Sequence, residues 1–224
     1  GHVHLFDFAN QPSTPVSDGL SHADQPVFSP KGDLLFFSAS INSGPSQVGL
    51  DMSTQERARR LGLYAAVLAA DGKSPLFPKA GDEEGKKDEA KKADGKDGKS
   101  PAKEAPKEPV KPVRIDLDGL QQRIVALPLP ERFYDQLAVA ADGALLYLER
   151  PQPGSSTEPP MTELRALAEL HRFDFEERKS KSLKTGVADF SLSADGKKLL
   201  LQGAKGKLEI ADAGEKLDIK AIDL

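Results

Sequence analysis

Phe28-Ser-Pro-Lys-Gly-Asp-Leu-Leu-Phe-Phe37 decides the fold, because the same pattern returns twice along the chain. Val139-Ala-Ala-Asp-Gly-Ala-Leu-Leu-Tyr-Leu148 and Leu192-Ser-Ala-Asp-Gly-Lys-Lys-Leu-Leu-Leu201 align with it without gaps. The Lys-Gly or Asp-Gly pair favours a tight turn, since glycine readily takes positive φ. The apolar run after each turn is typical of a strand that is buried on both faces. Each stretch therefore predicts a β-hairpin.

A second motif recurs in the same order relative to these turns. His4-Leu-Phe-Asp-Phe8 lies ahead of Gly32, and His171-Arg-Phe-Asp-Phe175 lies ahead of Gly196. Two ordered motifs indicate a repeat of four short strands, and the spacing from Gly143 to Gly196 is close to one propeller blade. We therefore predict an all-β fold, namely a partial β-propeller of about three to four four-stranded blades.

Turn residues and alternating patterns predict the outer strands of the repeat. Leu61–Ala70 and Lys73–Phe77 flank an Asp-Gly turn and are expected to pair with each other. Val113–Leu120 alternates apolar and acidic residues, which predicts a strand with one solvated face. Two further alternating segments are expected to form the outer strands of the last blade, Lys207–Asp212 and Lys216–Lys220.

A charged insertion interrupts the repeats at residues 81–112. This segment consists almost entirely of Lys, Glu, Asp, Gly, Ala, Ser and Pro, and it contains no aromatic residue. Such a composition cannot bury a core and predicts a disordered or solvated spacer. We therefore divide the chain into propeller blades at 1–80, the insertion at 81–112, and further blades at 113–224, where the propeller ends.

The overall composition excludes several classes of function. The net charge of −4 argues against a nucleic-acid partner, which would require clustered Lys and Arg. The absence of cysteine excludes a disulfide framework, a thiolate zinc site and a cysteine nucleophile. No stretch of eighteen apolar residues predicts a membrane span, and the first residues do not resemble a signal peptide. We expect a cytoplasmic protein, with the periplasm as the alternative, and we interpret the start without Met as a piece of a longer chain.

The histidines provide the test for an independent hydrolase. Ser21, His22 and Asp24 supply the residue types of a catalytic triad, but known triads assemble side chains from separate elements. The chain also has no Gly-x-Ser-x-Gly nucleophile elbow. We interpret this segment as a polar loop, and we assign no catalytic residue.

No cofactor or metal site is predicted. His2 and His4 share one face of a strand, but two ligands do not make a site. Asp116, Asp118 and Gly119 resemble the start of a calcium loop that lacks its remaining ligands. A phosphate-binding loop motif is also missing from the sequence. We therefore expect no cofactor-binding residues, no metal ligands and no bound cofactor.

One longer stretch resembles a known family. Val113-Arg-Ile-Asp-Leu-Asp-Gly-Leu-Gln-Gln-Arg-Ile-Val-Ala-Leu-Pro128 is similar to the C-terminal propeller of tricorn proteases and bacterial tricorn-like serine peptidases. In that family a Lys- and Glu-rich insertion often precedes such a segment. Ala23–Gly32 and Val187–Gly196 are similar to the hairpins of the same propeller. Lys31 departs from the usual Asp, and Gln25 departs from the common Ser.

The resemblance implies a large serine peptidase that trims peptides, in which helical, PDZ and catalytic regions follow the propellers. The family's nucleophilic serine and histidine lie outside the matching stretch, so no catalytic residue carries over. The implied role is a non-catalytic scaffold and peptide channel, with peptides and the catalytic and PDZ regions of the parent chain as partners. A homo-oligomer remains open.

A propeller-type protein-binding module without enzymatic activity, like those of periplasmic scaffold proteins, is the alternative function. The sequence after Leu224 would separate the two, since only a peptidase requires a PDZ-like region and a catalytic serine there. Three to four blades by themselves expose unpaired strand edges, so we also predict a marginally stable monomer.

Overall fold

The computed structural model describes residues 1–8, 13–17, 19–41, 60–77, 113–151 and 167–222. The predicted insertion at 81–112 lies outside the described residues. Within them the protein is built from antiparallel strands and two short 3-10 helices, Leu120–Arg123 and Ala204–Gly206. None of the helices in these ranges has the length and apolar character needed to cross a membrane.

Thirteen strands follow one another along the described parts of the chain. In chain order they are β1 (His4–Phe6), β2 (Ser13–Pro15), β3 (Ala23–Phe28), β4 (Leu34–Ala39), β5 (Gly62–Val67), β6 (Ile124–Ala126), β7 (Phe133–Val139), β8 (Leu145–Arg150), β9 (Ala168–Asp174), β10 (Lys179–Leu192), β11 (Lys198–Gly203), β12 (Leu208–Asp212) and β13 (Lys220–Ile222). They form a two-stranded sheet β1-β2, a four-stranded sheet β3-β4-β5-β6, and a seven-stranded sheet β7 to β13 in sequential order.

The seven-stranded sheet is two blades that share the long strand β10. Its first half, beginning at Lys179, pairs with β9, and its second half, ending at Leu192, pairs with β11. Shifts of register and the left-handed Gly186 (φ +75°) mark the crossover. The first blade is therefore β3–β6, the second is β7–β9 with the first half of β10, and the third is the remainder. These three units confirm the predicted four-stranded repeat.

The hairpins of the three blades match in position but not in length. The main-chain N–H of Ser29 bonds the carbonyl of Leu34, and that of Ser193 bonds Lys198, whereas Ala140 bonds Ala144 in a turn one residue shorter. The hydroxyl groups of Ser29 and Ser193 accept hydrogen bonds from main-chain N–H groups across the longer turns. Alanine cannot do this, so the strand after the second turn is shifted by one residue relative to the gapless alignment.

This shift places Leu35, Leu145 and Leu199 at one structural position and Phe36, Leu146 and Leu200 at the next. The first set faces the preceding sheet, and in the first two blades the second set, Phe36 and Leu146, faces the following sheet. Three cores result, between β1-β2 and the first blade, between the first and second blades, and between the second and third blades. The apolar runs are buried on both faces in β4 and β8, as predicted.

Three predicted strands differ in the structure. Lys73–Phe77 is not a strand; the chain turns after β5, with Gly72 N–H bonded to Ala69 and Phe77 N–H to Ser74. The edge of β5 is instead taken by β6, which follows the insertion. The first blade therefore draws strands from both sides of residues 81–112, and the division of the chain into three parts stays a prediction.

The segment Val113–Leu120 is an irregular connection rather than a strand with one solvated face. Its alternation arises because Ile115 and Leu120 pack into the first core while Asp116 accepts a hydrogen bond from the main-chain N–H of Ala70 at 2.8 Å. The predicted strand Lys216–Lys220 is also displaced, because β13 begins only at Lys220 and pairs with β12.

Candidate functional site

The first strands of the three blades lie next to one another. β3 contacts β7, and β7 contacts β10. Five polar side chains follow this inner edge and are called here the inner polar row: Asp24, Gln25, Asp135, Gln136 and Asp189. The row is a regular array of polar groups on the adjoining first strands of the blades, which makes it the candidate functional site.

A bulge at the same point of β3 and β7 positions these side chains. The strand ladder shifts register after Asp24 and after Asp135. Gln25 and Gln136 take left-handed backbone angles (φ +58° and +49°), and each aspartate accepts a hydrogen bond from the next main-chain N–H, at 2.8 Å and 3.0 Å. In both blades the Gln of an Asp-Gln pair lies seven residues before a turn glycine. This repeated spacing is visible in the sequence, and the prediction from sequence did not include it.

The carboxamides of the row connect neighbouring blades. Gln25 Nε2 donates to Asp135 Oδ1 at 2.9 Å, and Gln136 Nε2 donates to Asp189 Oδ1. Gln136 Oε1 also accepts from the main-chain N–H of Phe190 at 3.4 Å. The equivalent oxygen of Gln25 is buried and has no hydrogen-bond partner. The row is thus a chain of polar contacts that fixes each blade against the next.

A buried arginine neutralises the centre of the row. Arg150 has 6% of its side chain exposed, and its Nε lies 2.5 Å from Asp135 Oδ2. A second guanidinium nitrogen donates to the carbonyl of Ala188 at 3.1 Å. A buried charge is tolerated only when it is paired and hydrogen-bonded, and Arg150 meets both conditions. The row therefore offers hydrogen-bonding groups, and it contains no nucleophile with an adjacent base.

The structure does not assemble Ser21, His22 and Asp24 as a triad. His22 Nδ1 lies 2.6 Å from the main-chain nitrogen of Gly1, and the His22 N–H donates to Ser40 Oγ. Asp24 accepts from Gln25 as part of the inner polar row. These contacts give His22 and Asp24 local structural roles.

Two other histidines contact serines in a repeated manner. His4 Nδ1 lies 3.1 Å from Ser13 Oγ, and His171 Nδ1 lies 3.4 Å from Ser180 Oγ. In both cases the histidine is on one strand of an antiparallel pair and the serine is on the next strand. The recurrence of this contact in β1-β2 and in β9-β10 indicates a cross-strand pair that belongs to the repeat.

The His171–Ser180 pair has carboxylates nearby but does not have the geometry of a catalytic triad. Its Nε2 lies 3.5 Å from Glu169 and 3.8 Å from Glu149 but makes no hydrogen bond. A triad requires an orienting hydrogen bond at this nitrogen and a serine free to attack. Ser180 Oγ is instead held by the Tyr147 hydroxyl at 2.6 Å.

Tyr147 holds this cluster together. Its ring stacks on His171 with centroids 5.3 Å apart, and it meets Tyr134 edge-on at 5.1 Å. Burial raises the pKa of Tyr147 to about 12, and the nearby carboxylates of Glu149 and Glu169 add to the effect. The tyrosine therefore stays protonated and keeps its hydrogen bond to the serine at neutral pH.

Asp116 and Gly119, compared above with a calcium loop, have structural roles. The hydrogen bond from Ala70 N–H is the main reason that the pKa of Asp116 is lowered. Gly119 has φ +67° at the start of the 3-10 helix. Arg123 then donates to four carbonyl oxygens of Val67, Leu68, Asp116 and Asp118. The segment is thereby fastened to the end of β5. Across the described ranges, no group of three or more His, Asp or Glu residues is arranged to hold a metal ion.

No protein-family model matches the chain. Tricorn protease homolog 1 of Streptomyces coelicolor (strain ATCC BAA-471 / A3(2) / M145) is 33% identical over 103 residues, which are 43% of this chain and 9% of that protein. The chain thus spans less than a tenth of the length of this curated relative.

Two solved structures are similar to this chain. The crystal structure of the tricorn protease superposes with a TM-score of 0.61 at 15% identity, covering 99% of this chain and 20% of that one. TolB from Acinetobacter baumannii has a TM-score of 0.49 at 15% identity, covering 98% of this chain and 37% of that one. The superposition with the tricorn protease confirms the predicted partial propeller.

Proposed function

We propose that this chain, a tricorn-like β-propeller segment, is a non-catalytic part of a larger serine peptidase and serves it as a scaffold and as the wall of a peptide channel. The observation that carries the proposal is the 33% identity over 103 residues to a tricorn protease homolog. The peptides and the catalytic and PDZ regions of the parent chain are its proposed partners.

The geometry of the polar groups supports a non-catalytic role. The serine–histidine contacts at His4 and His171 are cross-strand pairs, and the buried Nε2 of His171 lacks the orienting hydrogen bond that a triad needs. The catalytic centre would therefore come from another part of the parent protein.

The inner polar row supports the channel role. Carboxamide and carboxylate groups follow adjacent inner strands, and Arg150 balances the charge of Asp135. A peptide exposes main-chain donors and acceptors along its whole length, and groups of this kind can exchange hydrogen bonds with any residue type. The row would thus guide peptides with little preference for their side chains.

Peptidase activity on a mixed fluorogenic peptide library tests the proposal. The 224-residue chain should be inactive, and the protein extended past Leu224 in its own gene should cleave. The Ser180→Ala and Ser21→Ala variants of the 224-residue chain are the controls. Activity that depends on either serine would overturn the non-catalytic role.

The channel is tested in the longer protein with Gln136→Ala, against Lys181→Ala on the exposed surface. We expect Gln136→Ala to lower kcat/KM for long peptides while leaving very short substrates unchanged. An equal effect on both lengths would argue against a channel. Inactivity of the longer protein on every peptide would favour the protein-binding module instead.

A further inference from the structure

A short segment after β5 of the first blade reaches across to the second blade. Beyond Gly72 the chain forms a β-turn over Ser74-Pro75-Leu76-Phe77, in which the Phe77 N–H donates to the Ser74 carbonyl at 3.1 Å. Serine and proline are favoured at the first two positions of such a turn. The Ser74 side chain adds a further bond, because its Oγ accepts from the Leu76 N–H at 3.2 Å. We call these four residues the strap.

The strap contacts the second blade through a side chain and through its main chain. Leu76 packs against the core shared by the first and second blades, as does Phe175 from the turn between β9 and β10. The Phe77 carbonyl accepts a hydrogen bond from the guanidinium of Arg178 in the same turn. Phe175 also contacts Phe36 of β4, with ring centroids 5.4 Å apart. The strap and this turn therefore meet at one corner of the interface between the two blades, called here the seam.

Arg178 has a backbone conformation that is unfavourable for its residue type. Its φ is +54°, in the left-handed region where a Cβ lies too close to the following carbonyl oxygen. Glycine would adopt this conformation without strain. The turn around it is well fixed, because Asp174 Oδ1 accepts from the N–H groups of Glu176 and Glu177 at 2.7 Å and 2.8 Å. The turn thus holds an arginine where glycine would be less strained, and this arginine bonds the strap.

Other contacts hold the seam at different places. Gln25 donates to Asp135 at its inner edge. Leu61 and Arg132, which immediately precede β5 and β7, exchange two main-chain hydrogen bonds of 2.9 Å and 3.1 Å. The strap follows the other end of β5, and the turn that it contacts lies at the corresponding end of the second blade, because β9 ends there beside the beginning of β8. The strap therefore holds the corner of the seam opposite to the main-chain bridge.

We infer that the strap is a releasable fastening, and that its release lets the first and second blades part at this corner of the seam. The strap buries only part of Leu76 and leaves Phe77 68% exposed. Segments with few buried contacts open at a lower cost than core strands, so the strap can detach while the blades stay folded. The inference concerns the packing of the blades and requires no peptidase activity of any longer protein.

Cysteine labelling tests the inference, since the chain contains no cysteine. Val139 is buried in the core of the seam, and Val187 is buried in the core between the second and third blades. Val139→Cys and Val187→Cys are introduced separately into the 224-residue chain, each with and without Arg178→Gly. Reaction with a thiol reagent is followed under native conditions. Global unfolding exposes both cysteines, so the ratio of the two rates reports on opening of the seam alone.

We expect Arg178→Gly to raise the labelling rate of Val139→Cys about 10-fold, because a hydrogen bond from a charged donor is lost. The rate of Val187→Cys should stay nearly unchanged. Global stability measured by urea unfolding should not fall, since glycine relieves the positive φ. Lys205→Gly is the matched control, because Lys205 also has a positive φ (+57°) but lies in the third blade. It should increase neither labelling rate.

A second variant tests the strap without changing Arg178. Leu76→Ala removes the apolar contact and should raise the labelling rate of Val139→Cys several-fold, again with little effect on Val187→Cys. Phe77→Ala changes the exposed neighbouring side chain and should change neither rate. An unchanged rate at Val139→Cys in both strap variants would overturn the inference. An equal increase at the two cysteines would also overturn it, since these residues would then contribute to overall stability and not to the seam.

Discussion

The second and third blades carry nearly the same apolar run, yet they bury it differently. In β8 the residues Leu145 to Leu148 are all buried, whereas in β11 Leu199 and Leu201 are buried and Leu200 is exposed. Among the described residues, the second blade has a sheet on each side, and the third has a sheet on one side. A continuous apolar strand therefore specifies two covered faces, and its burial depends on whether both neighbours are present.

The largest difference in stability between the two blades is expected when an aspartate replaces Leu146 or Leu200. A carboxylate at the fully buried position of Leu146 would have no partner, and we expect a loss of stability of about 4–5 kcal/mol or more, enough to prevent folding. The matched change Leu200→Asp should alter the stability of the 224-residue chain by only about 0.5 kcal/mol. Circular dichroism and urea unfolding measure both. Equal losses would contradict the difference between the faces.

Arg150→Met is expected to have the next largest effect. It leaves the Asp135 carboxylate without its buried cation, and removing one partner of a buried pair costs about 3 kcal/mol. Lys198→Met on the third blade removes one partner of an exposed pair and should have no measurable effect on unfolding. If Arg150→Met were as stable as the wild type, the pair would not contribute to fixing the second blade.

Alkaline pH should weaken the second blade through Tyr147. The pKa of this tyrosine is raised from 10.0 to about 12 in the folded protein, mainly by burial. Its contribution to stability is therefore complete below pH 10 and is lost as the pH rises to about 12. The contribution is at most about 2.7 kcal/mol.

Urea unfolding at several pH values measures this loss, and Tyr147→Phe should make stability less sensitive to pH in that window. The third blade contains no tyrosine, so the effect belongs to the first two blades. An unchanged pH profile in Tyr147→Phe would assign the loss to other groups.

The smallest difference in stability is expected for alanine substitutions of the turn glycines in the second and third blades. Gly143 and Gly196 both have positive φ, but a Cβ at Gly143 would meet open space, whereas one at Gly196 would lie 2.7 Å from the main-chain nitrogen of Ala141. Gly143→Ala should cost about 1 kcal/mol from backbone strain, and Gly196→Ala about 2 kcal/mol because the second and third blades must also separate slightly. Thermal unfolding of the two variants compares them. Equal shifts in Tm would show that the contact at Ala141 adjusts freely.

The repeat was predictable because turn glycines and apolar runs are local signals. The hairpins at Gly32, Gly143 and Gly196 follow from residues that are adjacent in sequence. The partner of β5 did not follow, because β6 lies beyond the insertion and competes with the nearer segment Lys73–Phe77. Sequence spacing contains no information about such a choice when a long loop intervenes.

The candidate site was less accessible to sequence reasoning than the fold. The sequence predicts a polar loop around Ser21, His22 and Asp24, whereas the structure shows that the Asp24 carboxylate supports the bulge at Gln25 in β3. The contact between Gln25 and Asp135 joins residues of two blades, and only the packing of the blades brings them together. The proximity of Ser180 to His171 likewise depends on cross-strand register.

The continuity of β10 has a mechanical consequence. Because one uninterrupted strand serves as the last strand of the second blade and the first of the third, no linker exists there to act as a hinge. The first and second blades are instead joined by residues 127–132, a connection that contains Pro128 and Pro130. The last two blades should therefore move and unfold as a single cooperative unit. Any bending between blades would occur between the first blade and that unit.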